Sequence, residues 1–206
     1  PILVGGTGLY FKALTDGLVN IPEIPINYRN KVRSLHKRIG QKKFFLNLIK
    51  IDPLIKDRIN SLDVQRSLRA YEIKSFTKKS MISWFKNTKS DYSHNDFFKI
   101  CIDFPRKDLI ERINKRSENM IKLGAILEVK KFIKLRVPKN KSLSKAIGIS
   151  EIKQYLQKKI QTEQLIEKIS IKTRQYAKRQ STWARGHMKD WNKVDPAGLE
   201  KLLKKI

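Results

Sequence analysis

Ile2, Leu3 and Val4 form a short, unbroken apolar run that stops at Gly5 and Gly6. A run of this length bounded by a glycine turn predicts the end of a buried strand. Thr7 then stands at the N-cap position of a helix over Leu9–Leu14. Such a strand rarely stands first in an α/β sheet, so a further segment is expected ahead of Pro1. After the prolines of Asn20–Ile26 the apolar positions change to a helical period. Val32, Leu35 and Ile39 share one face, as do Phe45, Leu48 and Ile49 in the next segment. Asp52-Pro53 predicts another helix start, and Ser61 or Asp63 a cap for the segment through Leu68 and Ile73. Residues 87–96 are polar and turn-rich, and Phe98–Phe104 reads as a strand stopped by Pro105. A long helix from Asp108 to near Gly124 follows, then helices over 125–136, 144–158 and 162–186. A strand near Met188–Val194 and a helix from Pro196 complete the chain. The pattern predicts an α/β fold, predominantly helical overall, with an all-helical domain inserted in it. The expected domains are 1–20 (core strand and helix), 21–96 (helical insertion) and 97–206 (remainder of the core).

Charge narrows the partners. Lys and Arg number 46 against 19 Asp and Glu, a formal net charge of +27 over 206 residues. A compact state with that excess repels itself, and a polyanion relieves it. Nucleic acid is the first candidate and an anionic membrane surface the second; Lys-rich codon bias accounts for part of the excess. No apolar stretch reaches membrane-spanning length. The single cysteine, Cys101, excludes an internal disulfide framework and fits a reducing cytoplasm. His36, His94 and His187 stand far apart in sequence, so no metal ligands are expected in this chain.

The helix over Ile166–Gly186 carries the densest chemistry. At about 100° per residue, Arg174, Lys178 and Arg185 fall in one stripe. Ile166, Ile169, Tyr176, Ala177 and Trp183 lie roughly opposite, which predicts an anchored helix with a cationic ridge. Ordinary surface charge is the plainer reading, but a guanidinium fork suits phosphate oxygens. In Gln65-Arg-Ser-Leu-Arg69, Arg66 and Arg69 sit on neighbouring helical faces. Arg112 and Arg116 are spaced i,i+4 and suit either a carboxylate or a phosphate. Thr7 is either a satisfied N-cap or, with the amides of Gly5–Gly8, an anion cradle. No G-x-x-x-x-G-K-[ST] pattern occurs, so this turn is not itself a P-loop.

Four segments, in order, resemble the bacterial tRNA dimethylallyltransferases. They are Leu3-Val-Gly-Gly-Thr-Gly-Leu-Tyr-Phe-Lys-Ala-Leu14, Gln65-Arg-Ser-Leu-Arg-Ala-Tyr-Glu72, Lys145-Ala-Ile-Gly148 and Thr173-Arg-Gln-Tyr-Ala-Lys-Arg-Gln-Ser-Thr-Trp183. The last is close to diagnostic by itself. The resemblance is to the bacterial type, without a C-terminal zinc finger, and implies a P-loop-NTPase-like core with a helical insertion, partial in this chain. It implies transfer of a dimethylallyl group from its diphosphate to N6 of an adenine beside the tRNA anticodon, on a base flipped from its stack. Mg²⁺ on the diphosphate is implied as cofactor, with ligands outside these residues. The implied partners are the anticodon stem-loop and dimethylallyl diphosphate, with no membrane, for a cytoplasmic monomer.

Carried over by position, the resemblance implies catalytic roles for Thr7, near the bridging oxygen, and Arg116, on the departing diphosphate. Gly5, Gly6, Thr7 and Arg116 would then form the diphosphate site. Gln65, Arg66, Ser67, Leu68 and Arg69 match a tRNA-contacting helix. Lys145, Ala146, Ile147, Gly148, Arg174, Lys178, Arg179 and Gln180 match further tRNA-facing segments. The sequence departs from the family at Val64, where Pro is usual, and at Ile149 and Ser150, where an aromatic and a basic residue are usual. The family's P-loop and catalytic Asp precede the equivalent of Pro1, so these residues alone are expected to bind tRNA without transferring the group. A non-catalytic RNA-binding protein is the alternative function. A nucleotide kinase explains neither the Thr173–Trp183 helix nor the charge.

Overall fold

The structure, a computed structural model, describes residues 1–138 and 141–204 and divides them between two compact units. One comprises residues 9–97; the other comprises residues 1–8 and 98–206.

The unit of residues 9–97 is helical. Its elements are α1 (Gly8–Thr15, begun one residue before the unit), α2 (Ile26–Ile51), α3 (Val64–Thr77) and α4 (Met81–Phe85). Helix α2 is two helical pieces joined at Gly40, whose φ of 75° is open to a residue without a Cβ. Asp63 caps α3 by accepting the Arg66 N–H at 2.9 Å, and Ser80 caps α4 through the Ile82 N–H. The expected helix from Asp52 is a single 3₁₀ turn, Pro53–Ile55. Only Ile55 and Ile59 turn inward there before Leu62 faces solvent, too few to anchor a longer helix. Ile24, Phe45, Leu48, Ile55, Ile59, Ala70, Ile73 and Met81 form the core. The Ser90 hydroxyl donates to the Leu14 carbonyl at 2.8 Å, which fastens α1 to the later polar segment.

The second unit contains β1 (Ile100–Ile102), α5 (Arg106–Lys122), α6 (Ala125–Lys134), α7 (Ile149–Leu156), α8 (Thr162–His187), β2 (Asn192–Val194) and α9 (Pro196–Leu203). Strands β1 and β2 pair in parallel with Cys101 opposite Lys193. The half-buried Cys101 thiol is pushed above its usual range by burial and then by Asp103. Helix α5 packs along α8, and α6 and α7 close over Val129, Ile149, Ile152, Leu165 and Ile169. The fold is predominantly helical with a small parallel sheet.

Four expectations need correction. Ile2–Val4 is not a strand here: a strand needs a ladder partner, and β1 and β2 pair with each other, leaving these residues exposed. Both expected strands shrink to three residues, since Met188 instead closes α8 by donating its N–H to the Ala184 carbonyl. The expected helix over 144–158 is broken at Gly148, whose φ of 103° is incompatible with helix; only α7 remains beyond it. Tyr176 does not anchor α8: burial on that helix ends at Ser170, and the ring is exposed.

Candidate nucleic-acid interface

In the second unit, two segments far apart in sequence meet. The Gln180 amide donates to the Gly6 carbonyl at 2.8 Å. Gly8 lies against the Trp183 ring so closely that a Cβ there would fall on the ring carbons. The His187 ring stacks on Trp183 at 4.4 Å between centroids, and its Nδ1–H donates to the Trp183 carbonyl at 3.0 Å. The glycine turn is thus held by the C-terminal half of α8. Thr7 lies between the two held glycines, directly before α1. Gly5 is exposed beside it.

On α8 itself Lys178 and Arg179 are exposed and Arg174 is half-buried. The Arg179 guanidinium lies 5.6 Å from the centre of the Tyr176 ring, which gives the exposed tyrosine a cationic neighbour. Arg116 is exposed on α5, between the inward-turned Ile113 and Ser117. It pairs with no acidic side chain among the described residues. Arg112 instead covers the Phe104 ring at 4.8 Å.

Lys145, Ala146 and Ile147 are exposed, and Gly148 is buried at the start of α7. The buried Glu151 carboxylate organises this turn: it accepts the Gly148 N–H at 3.0 Å, the Ser150 hydroxyl at 2.6 Å and the Lys172 ammonium of α8. Burial pushes its carboxyl up, but these donors and its own N–H outweigh burial and hold it below the ordinary carboxylate value. A depressed native pKa contributes stability above the unfolded value and loses it as pH falls through the native one. Glu151→Gln is therefore expected to cost about 1–2 kcal/mol at neutral pH, with the deficit shrinking as pH drops below about 4.5. Thermal melts across pH check this; a deficit constant down to acid pH would refute it.

In the other unit, Gln65 and Arg66 are exposed on the first turn of α3, and Leu68 is half-buried. Arg66 pairs with Asp63 at 3.5 Å. Ser67 is fully buried; its hydroxyl donates to the Asp63 carbonyl at 2.7 Å and accepts from Gln41 at 3.2 Å, a packing role. Arg69 reaches Glu72 at 3.7 Å and is joined there by Arg29 and Arg33 of α2, two residues that the sequence reading did not single out. Their i,i+4 spacing was visible; the buried carboxylate that gathers them was not. A shallow depression of about 440 Å³ along α2, lined by Asn27, Lys31, Ser34 and Arg38 among others, takes in none of the expected residues.

The family model described as IPP transferase matches residues 1–187. The chain belongs to the IPP transferase family. A tRNA dimethylallyltransferase of Pelagibacter ubique is 56% identical over 206 residues, covering all of this chain and 66% of that protein. One from Rickettsia massiliae is 40% identical over 191 residues, covering 92% of this chain and 53% of that protein. The full-length tRNA isopentenylpyrophosphate transferase of Bacillus halodurans matches 92% of this chain and 57% of its own, with a TM-score of 0.52 at 28% identity. A eukaryotic dimethylallyltransferase crystallised acting on tRNA shares the fold, with a TM-score of 0.73 over 93% of this chain and 50% of its own, at 24% identity. The chain spans about half to two thirds of the length of these IPP transferases. Among the described residues no helix is long and apolar enough to cross a membrane. Nor do the described residues bring together three His, Cys, Asp or Glu side chains.

Proposed function

We propose that this chain serves the transfer of a dimethylallyl group from dimethylallyl diphosphate to N6 of an adenine beside the anticodon of tRNA. The observation that carries the reading is the meeting of the glycine turn with Gln180 and Trp183 in a member of the IPP transferase family. That contact sets Thr7 beside a helix whose free side is cationic. In the reaction, the N6 lone pair forms a bond to C1 of the allyl group while the C1–O bond breaks and diphosphate departs. The amine proton passes to a base. The Thr7 hydroxyl and the Gly5 and Gly6 amides face the bridging oxygen and the leaving group, and Arg116 offsets the charge that grows on it. Arg174, Lys178 and Arg179, with Lys145, Ala146 and Ile147 and with Gln65, Arg66 and Arg69, hold the RNA so that the flipped adenine reaches the allylic carbon. The glycine turn belongs to a P-loop-NTPase-like core, with Mg²⁺ held on the diphosphate by groups outside these residues.

None of the residues assigned these roles is a carboxylate able to take the amine proton. The 206 residues taken alone are therefore expected to bind the RNA without transferring the group. Binding of an anticodon stem-loop RNA by this chain, titrated in salt, tests the RNA-facing half of the proposal. An Arg174→Gln/Lys178→Gln variant is expected to flatten the log–log salt slope by about 1.5 units, one phosphate contact per cation. An unchanged slope would remove α8 from the interface.

A further inference from the structure

The arginines around Glu72 outnumber what a carboxylate needs. The Glu72 side chain is 3% exposed, with Arg29 Nε at 3.4 Å, Arg33 Nε at 3.9 Å and Arg69 Nη1 at 3.7 Å from its oxygens. A carboxylate offers about four lone-pair sites, whereas each guanidinium carries five N–H donors. Two positive charges are therefore left over. Among the described residues Glu72 is the only acid that pairs with any of the three. Their side chains remain 38%, 46% and 43% exposed, so the surplus donors are at the surface. Arg29 and Arg33 approach Glu72 through Nε at ion-pair distance, and the buried Arg29 Nε has no hydrogen-bond partner among the described residues, so Glu72 does not use up their donors.

We propose that Arg29, Arg33 and Arg69 form a phosphodiester-binding cluster for RNA, pre-set by the buried Glu72. The inference rests on the reading that this chain binds RNA. It adds two residues from α2, a helix that carries none of the sequence motifs. Three guanidinium groups gathered around one point repel one another, and an anion with several oxygens relieves that repulsion. The forked N–H geometry matches the two free oxygens of a phosphodiester. Glu72 supplies position: its buried charge draws the three guanidinium groups to one point, so less of their spread is lost when they meet the ligand.

The test is binding of an anticodon stem-loop RNA to the full 206-residue chain over a salt series. Arg29→Gln/Arg33→Gln is expected to weaken binding about tenfold or more and to flatten the log–log slope by about 1.5 units. Lys42→Gln/Lys43→Gln removes the same charge from exposed lysines of α2 and is expected to change affinity less than about threefold, since screening acts within about 8 Å. Arg33→Lys, with charge kept and fork lost, is expected to fall between wild type and the double variant. Inorganic diphosphate added at equal phosphate concentration is expected not to displace the RNA from the cluster; displacement would assign it to a free diphosphate instead. Equal behaviour of the two double variants would overturn the cluster. If wild type itself shows no salt-dependent RNA binding, the failure belongs to the parent reading. Should circular dichroism show the arginine variant unfolded, phenylglyoxal modification of wild type decides. Protection of Arg29 and Arg33 by RNA supports the cluster, and equal reactivity with and without RNA refutes it.

Discussion

Arg116→Ala is expected to lower dimethylallyl transfer by about 10²–10³-fold while RNA affinity stays within about threefold. The protein for this measurement is the chain joined to the remaining segment of the Pelagibacter ubique relative, which is longer. The physical ground is the position of Arg116 on α5. Ile113 and Ser117 turn inward on either side of it, and Arg116 is left exposed with no described carboxylate to neutralise it. A cation in that state is available to an anionic ligand. As the C1–O bond breaks, charge accumulates on the diphosphate, and a guanidinium placed there acts on the transition state more than on the bound substrates. Its loss should lower turnover and turnover over KM together. Arg116→Lys keeps the charge without the fork and should recover only part of the rate. If RNA affinity and turnover instead fall in parallel, Arg116 is an RNA-holding residue.

Glu72→Ala is expected to destabilise the unit of residues 9–97 by about 2–4 kcal/mol. Removing one partner of a buried ion pair leaves the remaining charge unmatched. Here the change strands three guanidinium groups around an emptied position beside Ala70 and Ile73. The partial exposure of the arginines softens the cost and sets the lower bound. Arg33→Ala removes one of three competitors for a single carboxylate and should cost less than about 1 kcal/mol. Amide hydrogen exchange in α2 and α3 reads both variants. Equal, small effects would mean that the arginines do not depend on Glu72.

Local signals in the sequence were read correctly where a single helix decides the outcome. Of the two expected caps, Ser61 and Asp63, it is Asp63 that caps α3, and Gln65, Arg66 and Arg69 fall on that helix's first turns. Of the apolar face expected on α8, Ile169 is buried, and Lys178 and Arg185 of the cationic stripe stay exposed. The failures occur where a distant residue decides. Ile2–Val4 has the composition of a strand, but pairing and not composition makes one. Gly148 ended a helix that periodicity would have carried through, because its positive φ is stabilised by Glu151 accepting its N–H. The Gln180–Gly6 hydrogen bond joins residues 174 apart in sequence, and no periodicity encodes it. The resemblance marked both segments as motifs without saying that they touch. Arg29 and Arg33 went unnoticed for a related reason, since an arginine pair on a basic helix looks like solvated charge until the buried carboxylate across from it is known.

Whether this chain works in prenylation of a tRNA adenine is decided by nucleoside mass spectrometry. The material is tRNA incubated with dimethylallyl diphosphate, Mg²⁺ and the chain joined to the remaining segment of the Pelagibacter ubique relative. A dimethylallyl group is expected on N6 of an adenine next to the anticodon, and none with the 206 residues alone. RNA that is bound by the joined protein yet recovered without the modification would contradict it, and would leave an RNA-binding protein in place of a transferase.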